Sequence, residues 1–129
     1  MIAAARRETH IVLLTSFAVG YGPGHPMSRD GGHRDAENAL RASGLPWTVV
    51  RPTWLTDDPA GAHAVTLTQE ARPDGMLARA DLAVALVAAV EEGDARRTTF
   101  ALYNEPGCPR TDWPAAFAAL AHDPGPVAA

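Results

Sequence analysis

Residues 11–15 (IVLLT) make a short, unbroken apolar run of branched side chains, the pattern of a strand covered on both faces. The chain then enters residues 20–32, so rich in glycine and proline that most of the stretch must be loop. Across 34–43, Ala36, Ala39 and Leu40 fall at three- and four-residue spacing and Gly44 follows as a stop, which predicts a helix. Residues 47–51 (WTVVR), closed by Pro52, predict a second strand. Residues 53–75 hold no sustained period and read as irregular, with room for a short strand at 64–67.

The firmest helix spans 80–92. Leu82, Leu86 and Val90 recur on one face, Ala83 and Val87 flank them, and Gly93 ends the run. Residues 98–103 (TTFALY) predict a third strand. A last helix follows over 113–121, capped by Asp112 or Thr111, with Pro114 tolerated in its first turn. Strand and helix alternate throughout, which predicts an α/β fold: a small parallel sheet, reached by right-handed crossovers, with helices packed on it. Residues 1–122 make one domain and 123–129 a flexible tail of small residues and prolines.

Composition narrows the function. The 129 residues allow one domain, and their 47% hydrophobic share is globular, yet much of it is alanine. A core built on alanine is thin, which makes association with a partner attractive. The net charge of −4, without any basic block, excludes a nucleic-acid partner. The longest uncharged apolar run, 82–90, falls far short of the roughly 20 residues of a membrane span. Residues 1–10 carry two arginines and a glutamate and have no apolar signal core. Cys108 stands alone, so no internal disulfide forms, and the expected location is the reducing cytoplasm.

Several stretches taken together resemble the atypical short-chain dehydrogenase/reductase family in its NAD(P)H-binding, NmrA-like branch. Residues 11–16 (IVLLTS) are similar to its fifth strand with the following serine. Residues 36–52 (AENALRASGLPWTVVRP) are similar to its most recognisable segment, a helix ending in SGL and a strand ending in RP. Residues 79–83 (RADLA) are like its late helix start, and 99–102 (TFAL) like its last central strand. The resemblance covers roughly residues 8–106 and implies the C-terminal half of a truncated, Rossmann-like three-layer fold.

That family opens with a strand, a glycine-rich turn and a helix whose N-terminus cradles the dinucleotide diphosphate. No such G-x-x-G-x-x-G unit occurs here; residues 20–24 (GYGPG) are interrupted by Pro23, Pro26 follows, and no helix comes at once. The expected cofactor is therefore none, with NAD(P)H only if a partner chain supplies the glycine-rich half. By the resemblance, Ser16 matches the active-site serine. Counting back from Glu37 places His33 where the family has its lysine and Arg29 where it has its tyrosine. The usual proton route for carbonyl reduction is thereby replaced.

If the helix begins early, Arg29, His33 and Glu37 share one face near Ser16. Histidine titrates near neutral pH and suits general acid–base work, and Arg29 suits an anionic or enolate oxygen. The plainer alternative pairs Glu37 with a neighbouring arginine and leaves His33 exposed. Tyr21 and His25 belong to the loop over the expected pocket mouth, where they either touch a ligand or face solvent. Arg51, Thr53 and Trp54 follow the end of a strand, where open α/β sheets keep their crevice. Arg51 is there a local support or a ligand contact, and Trp54 a pocket wall or a packed ring. His25, Asp30, His33 and Glu37 follow no zinc-ligand spacing, so no metal is expected. Cys108 has no basic neighbour to make it a nucleophile.

In the parent fold the strand at 11–15 lies inside the sheet. Without its neighbour it becomes an unguarded edge, which predicts a homodimer paired through that strand and a sheet completed by dimerisation. Three functions fit. The leading one is a non-redox enzyme (isomerase, cyclase, lyase or hydrolase-type acid–base chemistry) acting on a small organic molecule through Ser16, Arg29 and His33. The second is an NAD(P)H-dependent oxidoreductase half that needs a partner chain. The third is a ligand-binding or regulatory module without catalysis.

Overall fold

The computed structural model describes residues 9–22, 32–70, 73–107 and 111–123. Along the chain these form β1 (Ile11–Leu14), a 3-10 turn (Phe17–Tyr21), α1 (His33–Ala42), β2 (Trp47–Pro52), β3 (Trp54–Thr56), β4 (Ala64–Thr68), β5 (Met76–Ala78), α2 (Arg79–Glu91), β6 (Thr98–Glu105) and α3 (Trp113–Ala118). Each strand and helix expected from the hydrophobic pattern is present. The last helix is shorter than expected, residues 53–75 hold two strands where one was expected, and a further strand, β5, follows at once.

Four strands make a mixed sheet in the order β1-β2-β6-β4. β1, β2 and β6 run parallel, with Ile11 opposite Trp47 and Thr48 opposite Thr98. β4 runs antiparallel to β6, with Val65 opposite Asn104. The expectation of a purely parallel sheet of three strands is corrected at this edge. β6 continues to Glu105, and a free flank of that length needs a partner for its backbone groups. The returning segment at 64–68 supplies it.

Alternate residues of the strands point to opposite faces. Trp47 and Val49 pack with Leu40 of α1, whereas Val50, Phe100 and Leu102 pack with α2 and α3. The helices thus cover both faces, giving three layers. Stepping from β1 to β2 and from β2 to β6 moves the same way across the sheet, but α1 and α2 lie on opposite faces. The two crossovers therefore have opposite hands, contrary to the right-handed expectation for both. The second is no simple strand–helix–strand unit, since β3, β4 and β5 intervene, and the rule applies to simple units.

β3 and β5 form a separate parallel pair with Trp54 opposite Met76. The chain reaches β5 through Gly75 at φ 141°, where an added Cβ would come within 2.8 Å of the Tyr103 Cβ. α1 stops as expected at Gly44, whose φ of 78° is the left-handed conformation that closes helices. Asp112 caps α3 by accepting from the Ala115 N–H at 3.1 Å. Beyond α3 the chain is still tied down: Gln69 exchanges two hydrogen bonds with the Ala121 backbone, and the Asp123 N–H donates to Arg97 O at 2.7 Å.

α2 departs from its expected orientation. It buries Asp81, Leu82, Ala85, Ala88 and Ala89, while Leu86 is half-buried and Val90 is 56% exposed. The helix is apolar around its whole circumference, so its sequence singles out no inner face. Here the small alanines face the sheet, because Val50, Phe100 and Leu102 already fill the space beneath.

Candidate functional site

β1 and β2 end side by side, and the residues just past their ends converge. The Thr15 N–H continues the ladder to Val50 O at 2.9 Å, and its hydroxyl donates to Glu37 Oε2 at 2.8 Å. Glu37, on α1, is 1% exposed. Arg51 meets it with two hydrogen bonds, Nε to Oε2 at 3.0 Å and Nη2 to Oε1 at 2.6 Å, and Arg41 adds a third at 3.1 Å. Burial alone would raise the Glu37 pKa; the hydrogen bonds from Arg51 and Thr15 and the charges of Arg51 and Arg41 outweigh it and hold the carboxyl below its ordinary value. This lock pins α1 across the ends of both strands.

Ser16 opens the 3-10 turn, its Oγ accepting from the Ala18 N–H at 3.2 Å. Arg34 of α1 reaches back to the same turn and donates to Val19 O at 2.5 Å. Phe17 lies edge-on to both Tyr21 and Trp54, with ring centroids 6.0 and 5.4 Å away. Thr53 is buried and donates its hydroxyl to Leu102 O at 2.9 Å, while Trp54 is 51% exposed beside the strand end. His33 is the first residue of α1, half-buried, and its Nδ1 is shielded from solvent with no hydrogen-bond partner among the described residues.

Ser16, Tyr21, His33, Thr53 and Trp54 therefore all belong to elements tied together at this end of the sheet. Arg51 reaches inward from it to the Glu37 carboxylate. Arg29 and His25 lie outside the described residues, as does Cys108. Phe17, Arg34 and Arg41 were not singled out from the sequence. Arg41 alone left a signal there, standing four residues after Glu37 on one helix face.

On the α1 face a cleft of about 360 Å³ opens over β6 and β4, bordered by Arg41, Arg51, Thr68, Gln69, Thr99 and Asp123. Its polar groups mostly serve one another: Arg41 bonds Thr99 and Asp123, and Thr99 donates to Asp123 at 2.8 Å. Among the described residues no group of three or more His, Cys, Asp or Glu is placed to hold a metal ion. No described helix is long and apolar enough to cross a membrane.

A dinucleotide diphosphate needs a helix N-terminus free of negative charge. Each described α-helix carries a carboxylate there: Asp35 in the first turn of α1, Asp81 in that of α2, and Asp112 as the cap of α3. These residues do not fit the diphosphate.

Comparison with known proteins places the chain in a family. The protein family described as NAD(P)H-binding matches residues 1–93. Sanguinarine reductase of Eschscholzia californica is 31% identical over an alignment of 107 residues that covers 75% of this chain and 39% of that protein. A putative NAD-dependent epimerase/dehydratase from Bacillus halodurans superposes with a TM-score of 0.62 at 22% identity, over 76% of this chain and 47% of that one. A short-chain dehydrogenase/reductase from Veillonella parvula in complex with NADP superposes with a TM-score of 0.57 at 25% identity, over 77% and 52%. The chain thus spans about half, or less, of the proteins it resembles. It belongs to the NAD(P)H-binding family of atypical, NmrA-like short-chain dehydrogenases/reductases.

Proposed function

We propose that these residues form the substrate-side half of an NAD(P)H-dependent reductase acting on a small organic molecule, with the diphosphate-binding turn on polypeptide outside them. The observation that carries this reading is the Thr15–Glu37–Arg51 lock. It fixes α1 against the carboxyl ends of two parallel strands, where α/β sheets bind their ligands. Family membership supports the redox assignment, and the three helix-start carboxylates support a nucleotide site elsewhere. Among the described residues β1 ends the sheet order, which leaves its outer flank available to the strand of such a half.

The test is a titration with NADPH followed by its fluorescence. The chain alone gives no saturable binding at micromolar nucleotide. Joined behind the glycine-rich half of the Veillonella parvula reductase, it binds NADPH in the micromolar range. Micromolar binding by the chain alone, or a folded fusion that binds none, overturns the reading.

One observation favours a second reading, non-redox acid–base chemistry by Ser16, His33 and Arg29: the unpartnered Nδ1 of His33. Under it the pocket residues are Tyr21, His25, Thr53 and Trp54, and His33→Ala abolishes a turnover that needs no nucleotide. Turnover that survives the exchange removes His33 from the chemistry.

A further inference from the structure

α2 presents an outward stripe that the described residues leave uncovered. Arg79, Ala80, Ala83, Val84, Val87, Val90 and Glu91 are all exposed, Val87 to 59%. Their three- and four-residue spacing gathers them on one side of the helix. Apart from the charges at its two ends the stripe is entirely apolar, and a helix apolar all round belongs in an interior. Beside it, Ala83, Val84, Val87, Ala88, Glu91 and Trp113 border a groove of about 420 Å³. Trp113 is held there by stacking on Phe117, with centroids 5.9 Å apart.

We propose that this stripe is an isologous interface, with α2 of one copy packed antiparallel on α2 of a second copy of the chain. The stripe is complementary to itself about a single centre. A two-fold axis at the level of Ala85 sets Ala80 against Val90, Ala83 against Val87, and Arg79 against Glu91 of the other copy. A small side chain meets a larger one at each apolar step, and opposite charges meet at each end. An isologous contact requires such reciprocity. Arg79 already donates to Asp57 at 2.7 Å, but both are exposed and the guanidinium has five N–H donors, so the pair leaves it able to reach Glu91 of the second copy. A parallel arrangement would bring like charges together and set valine on valine. The interface leaves β1 free and holds whether or not the reductase reading does.

Sedimentation velocity on the whole chain, from about 1 to 100 µM, tests this. The wild type sediments as a dimer in the upper part of that range. Val87→Glu, at a position exposed in the single copy, keeps the circular dichroism spectrum and weakens the dimer at least about tenfold. Arg79→Glu and Glu91→Arg each weaken it, and the double exchange restores it, as reciprocal pairing demands. A wild type that stays monomeric throughout overturns the proposal. So does a dimer that is indifferent to Val87→Glu and falls apart with Leu14→Lys, which would place the contact on the β1 edge instead.

Discussion

Arg51 holds both carboxylate oxygens of Glu37, at 3.0 and 2.6 Å, across the gap between β2 and α1. The two residues are 14 apart in sequence and belong to different layers of the fold. Glu37 is 1% exposed, so its charge depends on these partners. Removing Arg51 leaves a buried carboxylate with Thr15 and the more exposed Arg41. Arg51→Met therefore lowers unfolding free energy by about 3 kcal/mol, the low end for a broken buried ion pair. Arg51→Lys recovers part of the loss, since an ammonium cannot reproduce the two-pronged grip. Urea denaturation measures both, and a loss below about 1 kcal/mol for Arg51→Met would show the pair to be dispensable.

Two groups, the buried Glu37 and the half-buried His10, set the acid side of the stability profile. The Glu37 carboxyl sits below its ordinary value of 4.5 in the fold, because its arginine and threonine partners overcome burial. A carboxyl with a depressed folded pKa stabilises above its unfolded pKa, and that stability is lost as pH falls from about 4.5 through the folded value. His10 also sits below its ordinary value of 6.5, through burial first and the Arg96 charge second, against the Val90 backbone carbonyl, which raises it by favouring the protonated ring. Its Nε2 lies 2.8 Å from Thr48 Oγ1, and the Thr48 hydroxyl donates onward to Ala95 O, so the neutral ring is the donor to Thr48. For this histidine the unfolded chain takes up the proton first, and stability declines as pH drops below 6.5 towards the folded pKa. Denaturation midpoints measured across pH should show two declines. His10→Gln should flatten the upper one and Glu37→Gln the lower.

Much of this architecture is legible in the sequence. Residues 11–15, 47–51 and 98–103 are rich enough in branched and aromatic side chains to read as strands, and Gly44 marked the end of α1 without ambiguity. β3 and β5 were not legible, because three residues are too few to show a period. The place of β4 in the sheet was not legible either: its run was recognisable, but its antiparallel pairing answers to the length of β6. The lock at Glu37 was half visible. An arginine four residues on is a local signal, whereas Arg51 comes from another element. The inner face of α2 was misassigned for a physical reason. A helix with no polar side offers no clue to which side turns inward.

Asp81 shows the same limit, since its sequence context says only that an acid stands in the first turn of α2. In the fold it is buried, accepting from the Gly61 N–H at 2.9 Å and from Asn104 Nδ2 at 2.9 Å. Asn104 in turn accepts from the Ala78 N–H at 2.7 Å. One carboxylate and one amide thus join the 57–63 loop, the start of α2 and the end of β6. Asp81→Ala removes the charged acceptor of the Gly61 N–H and of Asn104 Nδ2, leaving the latter only Ala64 O at 3.4 Å, and costs about 1–3 kcal/mol. Hydrogen exchange should report faster exchange at Gly61, with the amides of β2 unchanged. Uniform acceleration across the whole sheet would mean that Asp81 supports the fold globally and not this corner.

Gly75 offers the sharpest local test, because two independent constraints meet there. Its φ of 141° lies where side chains are rarely found, and an added Cβ would approach the Tyr103 Cβ to 2.8 Å. Tyr103 is on β6, whose backbone is held by β4, so the contact cannot be relieved by a swinging side-chain tip. Gly75→Ala must distort the entry to β5, and strain of this kind costs about 1–3 kcal/mol. Because the Trp54 N–H donates to Gly75 O at 3.2 Å, the distortion passes to β3 and the exposed indole beside the candidate site. Loss of stability should therefore be accompanied by a change in tryptophan emission under native conditions. Trimming the neighbour as well, with Tyr103→Gly, relieves the clash but not the φ strain. Stability unchanged in Gly75→Ala would show that the β3–β5 pair is free to shift, and that Trp54 is not held in place by it.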